Sequence, residues 1–170
     1  MQTLVVYYSR SGSTRTVAKA LAHGVGGNLR ELVDANARKN LFAAAIAALF
    51  GRSARLVDPD FDVSAWDTVV VMTPIWVGQP TPAANTFLRT VNLTSKKVLI
   101  VALGESGENL ATSSKLEKMA RARGGWVLGV HHIHGLNSSG KAGPSATVEE
   151  LEKAGQRLAD VLQEPHNQED

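Results

Sequence analysis

A doubly wound α/β fold, a five-stranded parallel sheet of order 2-1-3-4-5, is the architecture this sequence predicts, on three observations. Four short runs, TLVVYY, TVVVM, VLIVAL and WVLGV, are apolar without polar alternation, the mark of strands buried on both faces. Segments with helical spacing separate the runs, so strand and helix alternate along the chain. Continuous apolar strands joined by helical crossovers require a covered parallel sheet, and right-handed crossovers leave few topologies.

The elements follow in order. Thr3–Tyr8 is the first strand, and Val17, Leu21 and Val25 give the next segment one apolar helical face. Leu29–Val33 (LRELV) is short and half polar, as an edge strand would be. Leu41–Phe50 is apolar nearly all round and closed by Gly51. It is expected either as a helix wedged between the sheet and the following loop or as a dimer face. Thr68–Met72 is the third strand, Ala83–Leu88 a helix, Val98–Leu103 the fourth strand, Leu116–Ala120 a helix and Trp126–Val130 the fifth strand. A last helix is expected from about Ser145 to Leu162, with Val148, Leu151, Ala154, Leu158 and Leu162 on one face.

At 170 residues and 44% hydrophobic composition the chain fits one domain, taken as residues 1–163, with residues 164–170 a polar tail. Eighteen basic side chains against 16 acidic ones leave a formal charge of +2 and no dense basic stripe, so nucleic acid is not an expected partner. The absence of cysteine removes disulfides, thiolate metal sites and cysteine nucleophiles together. Any redox chemistry must then come from a cofactor. No signal-peptide pattern opens the sequence, and the longest apolar run is about half a membrane span. A cytoplasmic protein without membrane insertion is the expectation, which makes the sequons at Asn92 and Asn137 chance matches.

In an open parallel sheet, ligands bind beyond the carboxyl ends of the strands where strand order reverses, here between the first and third strands. The turns to consider are those after Tyr8, Met72 and Leu103. The first, "YSRSGSTRT", surrounds Gly12 with Ser9, Ser11, Ser13 and Thr14 just where a helix begins. A helix N-terminus offers unpaired N–H groups and about half a positive charge, and hydroxyls add donors that suit phosphate oxygens. Ordinary N-capping needs one such hydroxyl rather than four. The spacing is neither GxxxxGKS nor GxGxxG, and "SSGKAG" at 138–143 lacks the first glycine of the former.

The second turn, "TPIWVGQPTP" from Thr73 to Pro82, is stiffened by Pro74, Pro80 and Pro82 and given one permissive joint by Gly78. Trp76 projects a large flat ring there, as a wall of the cleft or as a plug on the sheet end. The third turn, "GESGEN" from Gly104 to Asn109, supplies two glycines and backbone amides suited to the edge of a planar heterocycle.

Taken together, "VVYYSRSGSTRTVAKALA", "TPIWVGQPTPAANTFL" and a glycine-containing loop after "VLIVAL" resemble the flavodoxin-like family of FMN-binding proteins over roughly residues 1–162. Ser9, Ser11, Gly12 and Thr14 match that family's Ser/Thr-x-Ser/Thr-Gly-x-Thr phosphate loop. The second motif resembles the branch with Pro-Ile-Trp-x-Gly after strand three. The resemblance implies that Ser9, Arg10, Ser11, Gly12, Ser13 and Thr14 cradle the FMN phosphate. It implies further that Thr73, Pro74, Ile75, Trp76 and Gly78 line one side of the isoalloxazine, and that Gly104, Glu105, Ser106 and Gly107 approach its other edge. The flavin would carry the chemistry, with no catalytic side chain and no metal required.

Two features depart from the electron-carrying members. Those are strongly acidic, whereas this chain is nearly neutral, and their third loop brings an aromatic ring that "GESGEN" lacks. An electron-transfer flavoprotein is the expectation, working with a redox partner protein or a small-molecule acceptor. The alternatives are an NAD(P)H-dependent quinone or flavin reductase, for which a homodimer can assemble the nucleotide site, and a flavin-free interaction module. A phosphoacceptor receiver domain needs acidic residues where this chain has Tyr8, Ser9, Thr73 and Pro74, and a low-molecular-weight phosphatase needs a cysteine. "HHIH" at His131, His132 and His134 is read as polar strand-end packing rather than a metal site, and His23 as a partner for its helix's C-terminal dipole.

Overall fold

The computed structural model describes residues 2–35, 53–57, 59–104, 110–134 and 146–164. The predicted helix Leu41–Phe50, the SSGKAG segment and the tail beyond Glu164 lie outside the described residues.

Strands β1 (Thr3–Tyr7), β2 (Asn28–Glu31), β3 (Thr68–Trp76), β5 (Lys97–Gly104) and β6 (Trp126–His134) form a parallel sheet in the order β2-β1-β3-β5-β6. This is the predicted order with one addition, the two-residue strand β4 (Gln79–Pro80), which folds back antiparallel on the end of β3. The central runs are β-branched and inaccessible to water: Val5, Val6, Val69, Val70, Val71 and Ile100 are all fully buried. β2 is an edge strand with Asn28 and Leu29 exposed, in keeping with its half-polar sequence.

Helices α1 (Ser13–Val25) and α4 (Val148–Gln163) cover one face of the sheet, while α2 (Pro82–Thr90) and α3 (Leu110–Ala122) cover the other. Val17, Leu21, Leu151, Leu158 and Leu162 pack on Val5, Val70, Leu99 and Val101, and Phe87, Leu88, Leu116 and Ala120 pack on Val6, Val71 and Ile100. α4 starts at Val148 rather than Ser145 because Thr147 is its N-cap: its hydroxyl accepts the Glu150 N–H while the Glu150 carboxylate accepts the Thr147 N–H.

α1 and α4 meet at unusually close quarters. A Cβ added to Gly155 would lie 2.5 Å from the Val17 carbonyl oxygen and 2.6 Å from Ala20 Cβ, and one added to Gly24 would lie 2.6 Å from Ala159 Cβ. Gln163 Nε2 completes the contact by donating to the Gly24 carbonyl at 2.8 Å, across 139 positions of sequence. Through this packing the C-terminal helix fixes the helix whose first turn carries the serine-rich loop.

Candidate functional site

The loop after β1 is built so that its own hydroxyls leave part of the helix end open. Gly12 stands at φ +101°, a left-handed conformation that L side chains rarely adopt, and no atom lies within 4 Å of where a Cβ would be. Ser9 Oγ accepts the N–H groups of Gly12 and Arg15, each at 3.2 Å, and the Gly12 carbonyl accepts the Thr16 N–H at 2.9 Å. The N–H groups of Ser11, Ser13 and Thr14 have no acceptor among the described residues. α1 has no acidic residue in its first turn and no side-chain cap from Gly12. The exposed Ser11 and half-buried Ser13 place their hydroxyls 3.5 Å apart beside these groups, and Thr14 is buried. Unclaimed donors, a positive helix end and an open glycine position fit a phosphate group.

Arg15 is held away from this end. Its guanidinium pairs with Glu31 on β2, with Nε at 3.3 Å from Oε2 and a second nitrogen on Oε1, and the Tyr7 hydroxyl also donates to Glu31 at 3.2 Å. Burial, reinforced by the Glu31 charge, pushes the Tyr7 phenol above its ordinary range and keeps it a neutral donor.

The second predicted turn is not a simple loop. β3 continues through Thr73, Pro74 and Ile75 to Trp76 and reverses in a two-residue hairpin at Val77–Gly78. Pro74 is tolerated in a strand because the ladder to β1 stops at Tyr7–Met72 and the Tyr8 N–H closes it on the Met72 carbonyl. Two residues further on, no N–H is needed on that side. Thr73 is fully buried and shares its hydroxyl with Thr81 at 3.0 Å, so it braces the hairpin against the start of α2. Pro74 is buried too and pairs with Leu103. Ile75, Trp76 and Gly78 are the members of this group that keep partial exposure.

Trp76 faces the serine-rich loop. Its ring meets Tyr8 edge-on, with centroids 5.8 Å apart and planes at 80°, and the Arg10 guanidinium carbon lies 5.8 Å from its centroid. Burial pushes the Tyr8 phenol above its ordinary range, so it stays uncharged beside the ring. The first two turns therefore converge. Gly104 closes on the same place, since a Cβ there would lie 3.5 Å from Ile75 Cβ, whereas Glu105, Ser106 and Gly107 lie outside the described residues.

The hairpin is clamped from α3, by contacts that span more than thirty positions of sequence and leave no local pattern. Thr112 Oγ1 donates to the Gly78 carbonyl at 2.5 Å, and Lys115 Nζ donates to Gln79 Oε1 at 2.6 Å. Val77, at the tip, has φ +50° and is 68% exposed. A β-branched residue in the left-handed region is strained, and both central positions of such a primed turn favour asparagine, aspartate or glycine. Val77→Asn is expected to raise stability by about 1 kcal/mol, read as a higher midpoint of urea denaturation at unchanged slope.

β6 runs past Val130 to His134, so His131, His132 and His134 stand on the strand itself. His131 and His132 both line a cavity against α4, and His132 Nε2 also lies 2.6 Å from Ser113 Oγ on α3. His23 stands exposed in the last turn of α1, beside the helix's negative end.

Among the described residues no helix is long and apolar enough to cross a membrane. A search of curated proteins returned no match. Solved structures with the same arrangement include a flavoprotein in complex with FMN from Lactobacillus acidophilus NCFM, at 20% identity and TM-score 0.65 over 77% of this chain and 92% of that one. A WrbA-like flavodoxin from Agrobacterium tumefaciens is similar at 22% identity and TM-score 0.61, over 94% and 96% of the two chains. Oxidised flavodoxin 1 from Bacillus cereus is similar at 15% identity and TM-score 0.59, over 96% and 99%. At these identities the likeness is one of fold. The model of the flavodoxin family itself matches residues 5–154, and with the sheet order in agreement, the chain belongs to the flavodoxin family.

Proposed function

We propose that this protein binds FMN between the loops after β1, β3 and β5 and serves in electron transfer. The observation that carries the reading is the open end of α1: the N–H groups of Ser11, Ser13 and Thr14 have no acceptor among the described residues, in the loop whose Arg10 lies 5.8 Å from the Trp76 ring centroid. The loop Ser9–Thr14 would hold the phosphate, Ile75, Trp76 and Gly78 would cover one side of the ring system, and Gly104 would approach the other. Membership of the flavodoxin family and the FMN held by the Lactobacillus neighbour support this reading. Bound FMN supplies one- and two-electron redox chemistry, and the protein's share is to anchor it, shield it from water and bias its redox state through apolar cover and backbone donors.

FMN titrated into the purified chain is expected to bind with quenching of its fluorescence, and Trp76→Ala is expected to restore much of that fluorescence. Full quenching in the variant would remove Trp76 from the ring's cover, and a chain that binds no FMN would overturn the proposal. A second reading, an NAD(P)H-dependent reductase of quinones or flavins, is favoured by the near-neutral charge of +2, which lacks the acidic balance of a carrier guided to basic partners. Anaerobic mixing of the FMN-loaded protein with NADPH or NADH separates the two: rapid bleaching marks the reductase, and a persistent yellow colour marks the carrier.

A further inference from the structure

α4 and the upper half of β6 border a half-open cavity of about 620 Å³ at the β6 edge of the sheet, separated from β3 and the hairpin by β5. Its size falls within the roughly 300–1,000 Å³ of small-molecule sites. Ile133, Leu151, Ala154, Leu158 and Val161 give it an apolar floor. The polar groups on its wall are His131, His132, Glu150, Lys153 and Arg157, with His132 Nε2 also 2.6 Å from Ser113 Oγ.

These groups are arranged unequally. The Glu150 carboxylate is engaged at the helix N-cap, where it accepts the Thr147 N–H at 2.7 Å and the Thr147 hydroxyl at 3.1 Å. Those hydrogen bonds hold its pKa below the ordinary carboxylate range, so it keeps its charge but is turned to the cap. Lys153 is paired with Glu149 at 2.7 Å in a solvent-exposed ion pair, which contributes little and exchanges readily. Arg157, seven residues and so about 10 Å along the helix from Glu150, makes no hydrogen bond or ion pair among the described residues. His131 is partly buried, and burial lowers its pKa, so at neutral pH it offers a hydrogen-bonding ring without a charge. The cavity thus has an apolar body, imidazole side chains on one wall, a carboxylate turned to the helix cap, and at the end far from Glu150 a guanidinium with no ion-pair partner among the described residues.

We propose that this cavity is a second binding site, for a small organic anion with an apolar body such as a medium-chain carboxylate. The carboxylate would sit on Arg157, supported by Lys153, and the chain would lie along Ile133, Leu151 and Leu158. A guanidinium suits this head group because its fork matches a carboxylate with two parallel hydrogen bonds, and an anion near an apolar floor needs a cation beside it. The site stands apart from the cofactor reading and does not depend on it.

Calorimetric titration of the 170-residue chain with decanoate, both as purified and after addition of FMN, with decanol as the uncharged control, tests the proposal. Saturable decanoate binding is expected, weakened about tenfold or more in Arg157→Ala and lost in Ala154→Trp, whose indole fills the cavity, with FMN affinity unchanged in both. Arg157 is exposed, so its replacement leaves the fold intact and carries the test even if the tryptophan variant does not fold. Absence of decanoate binding, equal affinity in Arg157→Ala, or decanol binding as tightly as decanoate would each overturn it.

Discussion

Gly155→Ala is expected to lower stability by about 2 kcal/mol, and Gly155→Leu by about 3 to 4 kcal/mol, both read from urea denaturation midpoints. The sign is the informative part, because alanine in a helix interior is ordinarily better than glycine by about 1 kcal/mol. Here the added Cβ would lie 2.5 Å from the Val17 carbonyl oxygen and 3.0 Å from the Leu21 nitrogen, backbone atoms that cannot step aside unless α1 and α4 separate. Overpacking of this kind costs about 1 to 3 kcal/mol or somewhat more, which outweighs the gain in helix propensity. A variant more stable than the parent would show that the helix spacing opens freely, and the close packing would lose its structural meaning.

The second large effect concerns ligand affinity. Ser11→Ala combined with Thr14→Val is expected to weaken FMN binding by about 2 to 4 kcal/mol, roughly 30-fold to 1,000-fold in Kd, at about 1 to 2 kcal/mol for each hydroxyl donated to a charged phosphate. Valine is chosen at position 14 because Thr14 is 97% buried, with 3% of its surface exposed, and its volume must be kept while the hydroxyl is removed. Ser9 is left intact because it holds the N–H groups of Gly12 and Arg15, so that its loss would disturb the loop itself. Unchanged affinity in a flavin titration would move the phosphate away from α1. A matching loss of urea stability would instead show the two hydroxyls to be structural.

The sheet and the serine-rich loop were legible in the sequence because each rests on a local pattern. Runs such as VVVM and LIVAL can be satisfied only by strands covered on both faces, and four hydroxyls around one glycine exceed the needs of a cap. What escaped was non-local or ran against its own residue preferences. Pro74 argues against a strand, and only the early end of β1 explains why β3 passes through it. Val77 occupies a hairpin position that favours asparagine or glycine, so "WVGQ" carries no hairpin signal, and the turn is held by Thr112 and Lys115 from α3. The pairing of Arg15 with Glu31, 16 positions apart, decided which arginine stays near the loop. Thr73 belonged to a motif yet is braced on Thr81, and Gly155, which has no local pattern to mark it, is a point where a Cβ added to α4 would come within 2.5 Å of α1.

The clasp between α1 and α4 also bears on how the chain acquires its shape. β1 and α1 are neighbours in sequence and can meet early, but the face of α1 stays bare until a segment 139 positions away, ending at Gln163, arrives against Gly24. Closing so long a loop is entropically costly and slow, and nothing local rewards the chain before it closes. The turn at Ser9–Thr14, the proposed phosphate loop, would then gain its support from α4 only late in folding, after the sheet has paired.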